Sequence, residues 1–214
     1  VAVGSHILQI ADVQDKRFDP IRVTAGQLET LSALRFPLLE PEKEAPMRQA
    51  VEAARLDADS VGGIIEAAAC GLPAGLGSPM FGGVENRLAP LLFGIPAVKG
   101  VEFGDGFGFA ALRGSQANDA YYYDEDGKVA TKTNHNGGIL GGITSGMPLV
   151  VRLAVKPTSS IGKPQQTVDL IKGENAELVV KGRHDPCIVL RAVPVVEAAL
   201  AIGLLDLLEC EKLH

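Results

Sequence analysis

The 214 residues carry 20 Lys+Arg against 26 Asp+Glu, a formal charge of −6, with 46% hydrophobic and 21% charged side chains. That length and balance suit a single domain with a real core and exclude global disorder. An acidic chain with no dense basic run and no tryptophan is poorly suited to nucleic acid or to an anionic membrane.

The chain opens in an apparent strand, Val1 to Ile10, and its first methionine is Met47. A native translation start is therefore absent, and the chain reads as a fragment or a processed product. Val1 to Ile10 lack a basic start and a cleavage pattern, so no signal peptide is read. Asp12 to Pro41 is polar and broken by proline, and no element is assigned there. Glu42 to Ala58 predicts a helix, with Met47, Val51, Ala54 and Ala58 on one face and Pro46 in the first turn. Ser60 to Cys70 reads as a buried strand ending at Gly71. Val84, Leu88, Leu91, Leu92 and Ile95 predict a second amphipathic helix, stopped by Pro96.

Val98 to Phe103 and Phe107 to Leu112 read as strands of a hairpin about Gly104-Asp105-Gly106. Tyr121 to Lys128 reads as a polar loop turning at Asp126-Gly127. Leu149 to Val155, Glu177 to Val180 and Cys187 to Val193 read as strands. Pro194 then opens a third helix to about Glu211. The expected class is α+β, with strands outnumbering helices. No apolar run approaches the ~20 residues needed to span a bilayer. Cys70, Cys187 and Cys210 are widely spaced and odd in number, which fits small buried residues in a reducing compartment.

Three stretches could carry chemistry. In Asn134 to Gly142, two glycine pairs flank an apolar pair, suiting a backbone that hugs something flat or charged. Lys156-Pro157-Thr158-Ser159-Ser160 puts one ammonium and three hydroxyls in five residues, and it reads equally as a phosphate site or a solvated turn. It is not a P-loop, because the lysine precedes and the glycine spacing is wrong. In Gly182-Arg183-His184-Asp185-Pro186-Cys187, Arg183 is a forked donor for phosphate or carboxylate. Asp185 could pair with it, orient His184 or accept a proton; a charged turn is at least as good a reading. His6, His135, His184 and His214 show no ligand spacing with one another, so no metal site is read. There is no GxSxG elbow, and no βαβ unit follows Gly104 to Gly108.

Taken together, these blocks resemble the chorismate synthase family. The resemblance runs from about Asp59 to Leu208. It includes Asp59 to Gly63, Gly71 to Gly77, Ala97 to Glu102, Arg113 to Gln116, Asn134 to Gly142, Lys156 to Ile161, Gly182 to Cys187 and Arg191 to Pro194. The chain is thus taken as one domain over 1–214, matched strongly over 59–208 and weakly over 1–58.

The resemblance implies a β-α-β layered sandwich of the α+β class, commonly a homotetramer. It implies a cytoplasmic lyase of the shikimate pathway, which leads to the aromatic amino acids. Its reaction removes phosphate from 5-enolpyruvylshikimate 3-phosphate by 1,4-elimination, giving chorismate, and needs reduced FMN without net redox change. Flavin contacts carry over to Pro96, Ala97, Gly141, Lys156, Pro157, Thr158, Ser159, Ser160 and Arg183. Asp185 is carried over as the group that takes part in proton removal. Reduction of the flavin by NAD(P)H, found in some members, is left open. The family's Gly-Glu-Ser-His-Gly block, its substrate-clamping arginines and its Arg-Ser-Ser-Ala-Arg-Glu-Thr block are not in this chain. The isolated chain is therefore expected to be inactive. The alternatives are a non-catalytic flavin- or phosphate-binding module and a domain that serves assembly.

Overall fold

A computed structural model describes residues 1–182 and 184–211, the last without its side chain. In chain order the elements are β1 (Ala2–Ile10), β2 (Val13–Gln14), α1 (Ala25–Ser32), α2 (Glu44–Leu56), β3 (Gly63–Cys70), α3 (Val84–Phe93) and β4 (Val98–Phe103). There follow α4 (Gly114–Ala117), β5 (Tyr121–Tyr123), β6 (Val129–Thr131), β7 (Ile139–Leu140), β8 (Ile143–Thr144), β9 (Leu149–Val155), β10 (Gln165–Asp169), β11 (Glu174–Leu178) and α5 (Val189–Glu211). The class is α+β, and strands outnumber helices among the described residues.

The main sheet has the order β2-β1-β3-β9-β4, every pairing antiparallel. Alternation along the strands gives it two faces. One face presents Ile7, Ile65, Ala67, Ala69, Leu149, Val151, Leu153 and Val155 to a helical layer. That layer offers Val84, Leu88 and Leu92 from α3, and Val189, Val193, Val196, Leu200, Leu204 and Leu207 from α5. The opposite face is covered in part by the segment 15–40, where Phe18, Val23, Leu28 and Leu31 pack on Ala68 and Val150.

Several expectations need correction. Phe107 to Leu112 is not a strand: Gly106 to Ala111 forms a 3-10 helix. The Glu102 carboxylate accepts the Phe107 N–H at 3.1 Å, and Gly108 N–H bonds to Asp105 C=O, which curls the chain away from β4. Cys187 to Val193 is not a strand either. Helix α5 starts at Val189 and Pro194 lies inside it, because the apolar stripe Val193, Val196, Leu200, Leu204 extends back to Val189 at helical spacing. A seven-residue apolar run cannot distinguish the two by periodicity. Tyr121 to Lys128 is half of a hairpin, β5 with β6, turning where Asp126-Gly127 predicted. The strand placed at Glu177 to Val180 is Glu174–Leu178, paired with β10. The region left unassigned holds α1, capped by the Thr24 hydroxyl, which accepts the Gln27 N–H at 3.3 Å. Ala58 lies beyond α2 at φ 53°, off the helical face, whereas Met47 and Ala54 are buried as expected.

Candidate functional site

The antiparallel register places the first cluster. Val98 of β4 faces Val155 of β9, so the residues beyond that pair come together: Lys156 N–H donates to Ala97 C=O at 2.9 Å. Ala97 follows the end of α3 at φ 72°. On the other side, the lead-in to β3 runs against the same loop. A Cβ on Gly62 would lie 2.3 Å from Val155 O and 3.0 Å from Pro157 Cδ, so only glycine lets the chain pass there. Ser60 Oγ donates to Thr158 C=O at 2.6 Å, and Val61 N–H donates to Pro186 C=O at 2.8 Å. The segment 60–62 thereby ties the Lys156 loop to the Asp185 loop.

Within this cluster, Thr158 Oγ1 is buried and has no hydrogen-bond partner. Such a group costs about 1–3 kcal/mol unless something satisfies it. The Asp185 carboxylate accepts the Cys187 N–H at 3.1 Å and pairs with Arg191 at the start of α5. His184 Nε2 donates to Val180 C=O at 3.0 Å. Burial pushes the Cys187 thiol up, away from thiolate chemistry. Lys163 bridges Asp57 and Asp59, which holds the Asp59 carboxyl below its usual range. A cleft of about 390 Å³ opens beside the cluster, lined in part by Arg55, Asp59, Gly182 and His184.

The structure joins the Pro96–Ala97 turn to the loop of Lys156, Pro157, Thr158, Ser159 and Ser160 through the Lys156–Ala97 bond, and segment 60–62 links that loop to the one that bears Asp185. It does not bring in Gly141. That residue turns β7 into β8 beside the start of α3, where Val84 N–H donates to Gly142 C=O at 2.9 Å. Ala97 lies past the other end of that ten-residue helix, about 15 Å along. Arg183 lies outside the described residues.

The glycine block 134–142 is set by Asp119, which is 4% exposed. Its carboxylate accepts Thr133 Oγ1 at 2.7 Å, His135 N–H at 2.8 Å, and Asn136 N–H and Nδ2 at 3.0 and 2.8 Å. Burial works against its charge, yet the bonds from Asn136, Thr133 and His135 hold the carboxyl below its ordinary value. Gly137 and Gly138 pack on this chain's own Gly104 and Pro148 rather than on a ligand face, while a Cβ on Gly141 would meet open space.

A second cluster escaped sequence reasoning. His6, Glu66, Arg152 and Glu102 stand in one row across four strands, since His6 faces Glu66, Glu66 faces Arg152 and Arg152 faces Glu102. Their side chains are joined: His6 Nε2 to Glu66 at 3.0 Å, Arg152 Nη1 to Glu66 at 3.3 Å and Arg152 Nε to Glu102 at 2.6 Å. Asp15 closes the row on His6 Nδ1 at 3.1 Å. The available signal was one ionisable residue in the middle of each of three apolar strands.

The family model described as chorismate synthase matches residues 1–208. A chorismate synthase of Methanothermobacter thermautotrophicus is 47% identical over 206 residues, covering 96% of this chain and 54% of that protein. One from Thermococcus kodakarensis is 57% identical over 160 residues, covering 75% of this chain and 45% of its own length. A crystal structure of chorismate synthase superposes with a TM-score of 0.77 at 29% identity, over 96% of this chain and 56% of that one. The chain thus spans about half the length of the curated relatives it matches.

Proposed function

The chain belongs to the chorismate synthase family, and from that premise we propose that it carries the flavin- and phosphate-binding portion of a reduced-FMN-dependent lyase. The reaction is the 1,4-elimination of phosphate from 5-enolpyruvylshikimate 3-phosphate, giving chorismate. The protein is read as a cytoplasmic homotetramer. Support for that compartment comes from Cys70, Cys187 and Cys210, all free thiols. Among the described residues no helix is long and apolar enough to cross a membrane.

The observation that carries the reading is the buried, unpartnered Thr158 Oγ1, which lies in the loop that also bears Lys156, Ser159 and Ser160. A hydroxyl stripped of water and left without a partner is what a phosphate or ring carbonyl would satisfy. The donor set therefore fits FMN. Lys156 would set a point charge against an anionic group, while Thr158, Ser159 and Ser160 would direct hydrogen bonds at oxygen atoms. Pro157 stiffens that loop by fixing its φ, and Pro96 and Ala97 would form its apolar flank. The chemistry supplied by the bound flavin is transient donation of electron density as the phosphate leaves. Arg183 is assigned to the anionic groups of flavin and substrate, and Asp185 to removal of the ring proton. Gly141, at the far end of α3, is a flavin contact by the family resemblance alone.

Thr158→Val tests this with opposite expected signs. Removing a hydroxyl that bonds to nothing should leave unfolding stability unchanged or raised. It should also weaken reduced-FMN binding by about tenfold, the worth of one hydrogen bond. Unchanged FMN affinity in a folded variant would remove Thr158 from the site.

A further inference from the structure

We propose that the His6 imidazolium is a proton-dependent latch, gripped by Asp15 and Glu66, that holds the segment 15–40 on the sheet and releases it when the ring gives up its proton. Both ring nitrogens face carboxylate oxygens, Asp15 at 3.1 Å and Glu66 at 3.0 Å. A neutral ring has one N–H, so only the imidazolium donates to both. His6 is fully buried and Glu66 nearly so, so no water can replace the lost bond. Phe18 closes over the ring edge-on, 4.7 Å between centroids.

The same two carboxylates hold the segment at both ends. Asp15 accepts the Leu39 and Glu40 N–H groups at 2.8 and 3.0 Å. Glu66 accepts the Phe18 N–H at 2.7 Å. The charged groups around the ring come from every neighbouring element: Asp15 from the segment, Glu66 from β3, Arg152 from β9 and Glu102 from β4. Arg17 acts on Glu102 from the segment's exposed side, beside exposed Lys16; α1 packs Leu28 and Leu31 there with its Glu29 exposed, and Glu197 of α5 accepts the neighbouring Ser5 N–H at 2.8 Å on the other face of the sheet. With the ring charged, the row Asp15, His6, Glu66, Arg152, Glu102 alternates in sign. With the ring neutral, Asp15 loses its cation and a lone pair faces a buried carboxylate.

Burial disfavours the charged ring, but the bonds and charges of Asp15 and Glu66 outweigh it and raise the His6 pKa above its ordinary 6.5. A raised folded-state value places the latch's full contribution below about pH 6.5, and the contribution is lost as pH rises through the raised value. Release would reach further than the ring. Ile21, Arg22 and Val23 of the segment form one wall of a cleft of about 660 Å³ whose other wall includes Tyr122 and Lys132. Pro20 C=O accepts Asn134 Nδ2 at 2.9 Å, so the segment is also bonded to the loop that carries the glycine block.

The test is amide hydrogen exchange on the 214-residue chain, followed by NMR at about pH 6 and about pH 9 and expressed as protection factors. Protection of the Phe18, Leu39 and Glu40 amides should fall as pH rises, by a factor of about ten for each pH unit that separates the raised value from the ordinary one. The β3–β9 ladder amides should change far less, and His6→Gln should abolish the pH dependence. Equal protection at both pH values, or a fall shared equally by the ladder, overturns the proposal. If His6→Gln does not fold, the ring-nitrogen titration of the wild-type chain decides. Loss of the His6 proton over the same pH span as the amide opening supports the latch, and a ring already neutral at about pH 6 overturns it.

Discussion

Glu66 illustrates how much one side chain can organise when it is buried among opposite charges. It is 1% exposed and accepts from His6, Arg152 and the Phe18 N–H. Arg152 in turn spans Glu66 and Glu102 and donates to Gly104 C=O. Removing one member leaves the others as uncompensated buried charge, which costs about 3–5 kcal/mol. Arg152→Met should therefore lower the unfolding free energy in urea by about that amount, more than its lost packing alone would account for. Asp119 makes a prediction of opposite pH sense. Its carboxyl, like that of Asp15, is held below 3.8 in the fold. The contribution of each is present above about pH 4 and lost as pH falls through the depressed value. Asp119→Asn should cost about 1.5–3 kcal/mol at neutral pH, because bonds to an ionised acceptor are lost, and the variant should show a shallower acid-unfolding transition. A variant as acid-sensitive as wild type would show that Asp119 does not hold the glycine block. The row itself was only partly legible in the sequence. A lone charge in GIIEAAAC or LVVRLAV signals a buried ionisable group, but which strand supplies its partner depends on register between residues 86 apart.

At the scale of elements, legibility followed period and length. Helices α2 and α3 were readable because each repeats its apolar face over ten or more residues, and strands β3, β4 and β9 because Gly71, Gly104 and Pro157 bound them after short apolar runs. The short apolar runs at 107–112 and 187–193 were not, since six or seven residues fit either period. The segment holding α1 was opaque for another reason: its covering role depends on Gly4, where a Cβ would meet Leu28 Cβ at 2.9 Å. The candidate site was legible as blocks but not as a cluster, because Ala97 meets Lys156 only through the Val98–Val155 pairing. The α3–α5 contact offers a direct test of the helical layer. Gly203 is buried where a Cβ would lie 2.5 Å from Leu88 Cδ2 and 2.9 Å from Leu91 Cδ1. Gly203→Val should overpack this crossing and destabilise by about 1–3 kcal/mol, despite removing a glycine from a helix interior. A stabilised variant would show that the two helices pack less closely than described.

In the whole molecule one sheet builds the core on its helical side, and its strand ends bring the Lys156 loop to the turn after α3. Matching about half the length of its relatives, the chain bears Lys156 to Ser160 and Asp185 but not the histidine and arginine blocks the family resemblance calls for. Loss of each positioned acid or base costs roughly two to four powers of ten in rate. The chain alone, given reduced FMN and 5-enolpyruvylshikimate 3-phosphate, should therefore release no phosphate above the uncatalysed background. Native-like turnover would contradict that expectation. The central claim is that this chain holds a flavin- and phosphate-binding site, and equilibrium titration of the folded chain with reduced FMN tests it most directly. The account predicts saturable binding that weakens about tenfold or more in Lys156→Ala, in line with loss of a charged hydrogen-bond donor. A folded chain that shows no saturable binding, or binds equally well with Lys156→Ala, would contradict it.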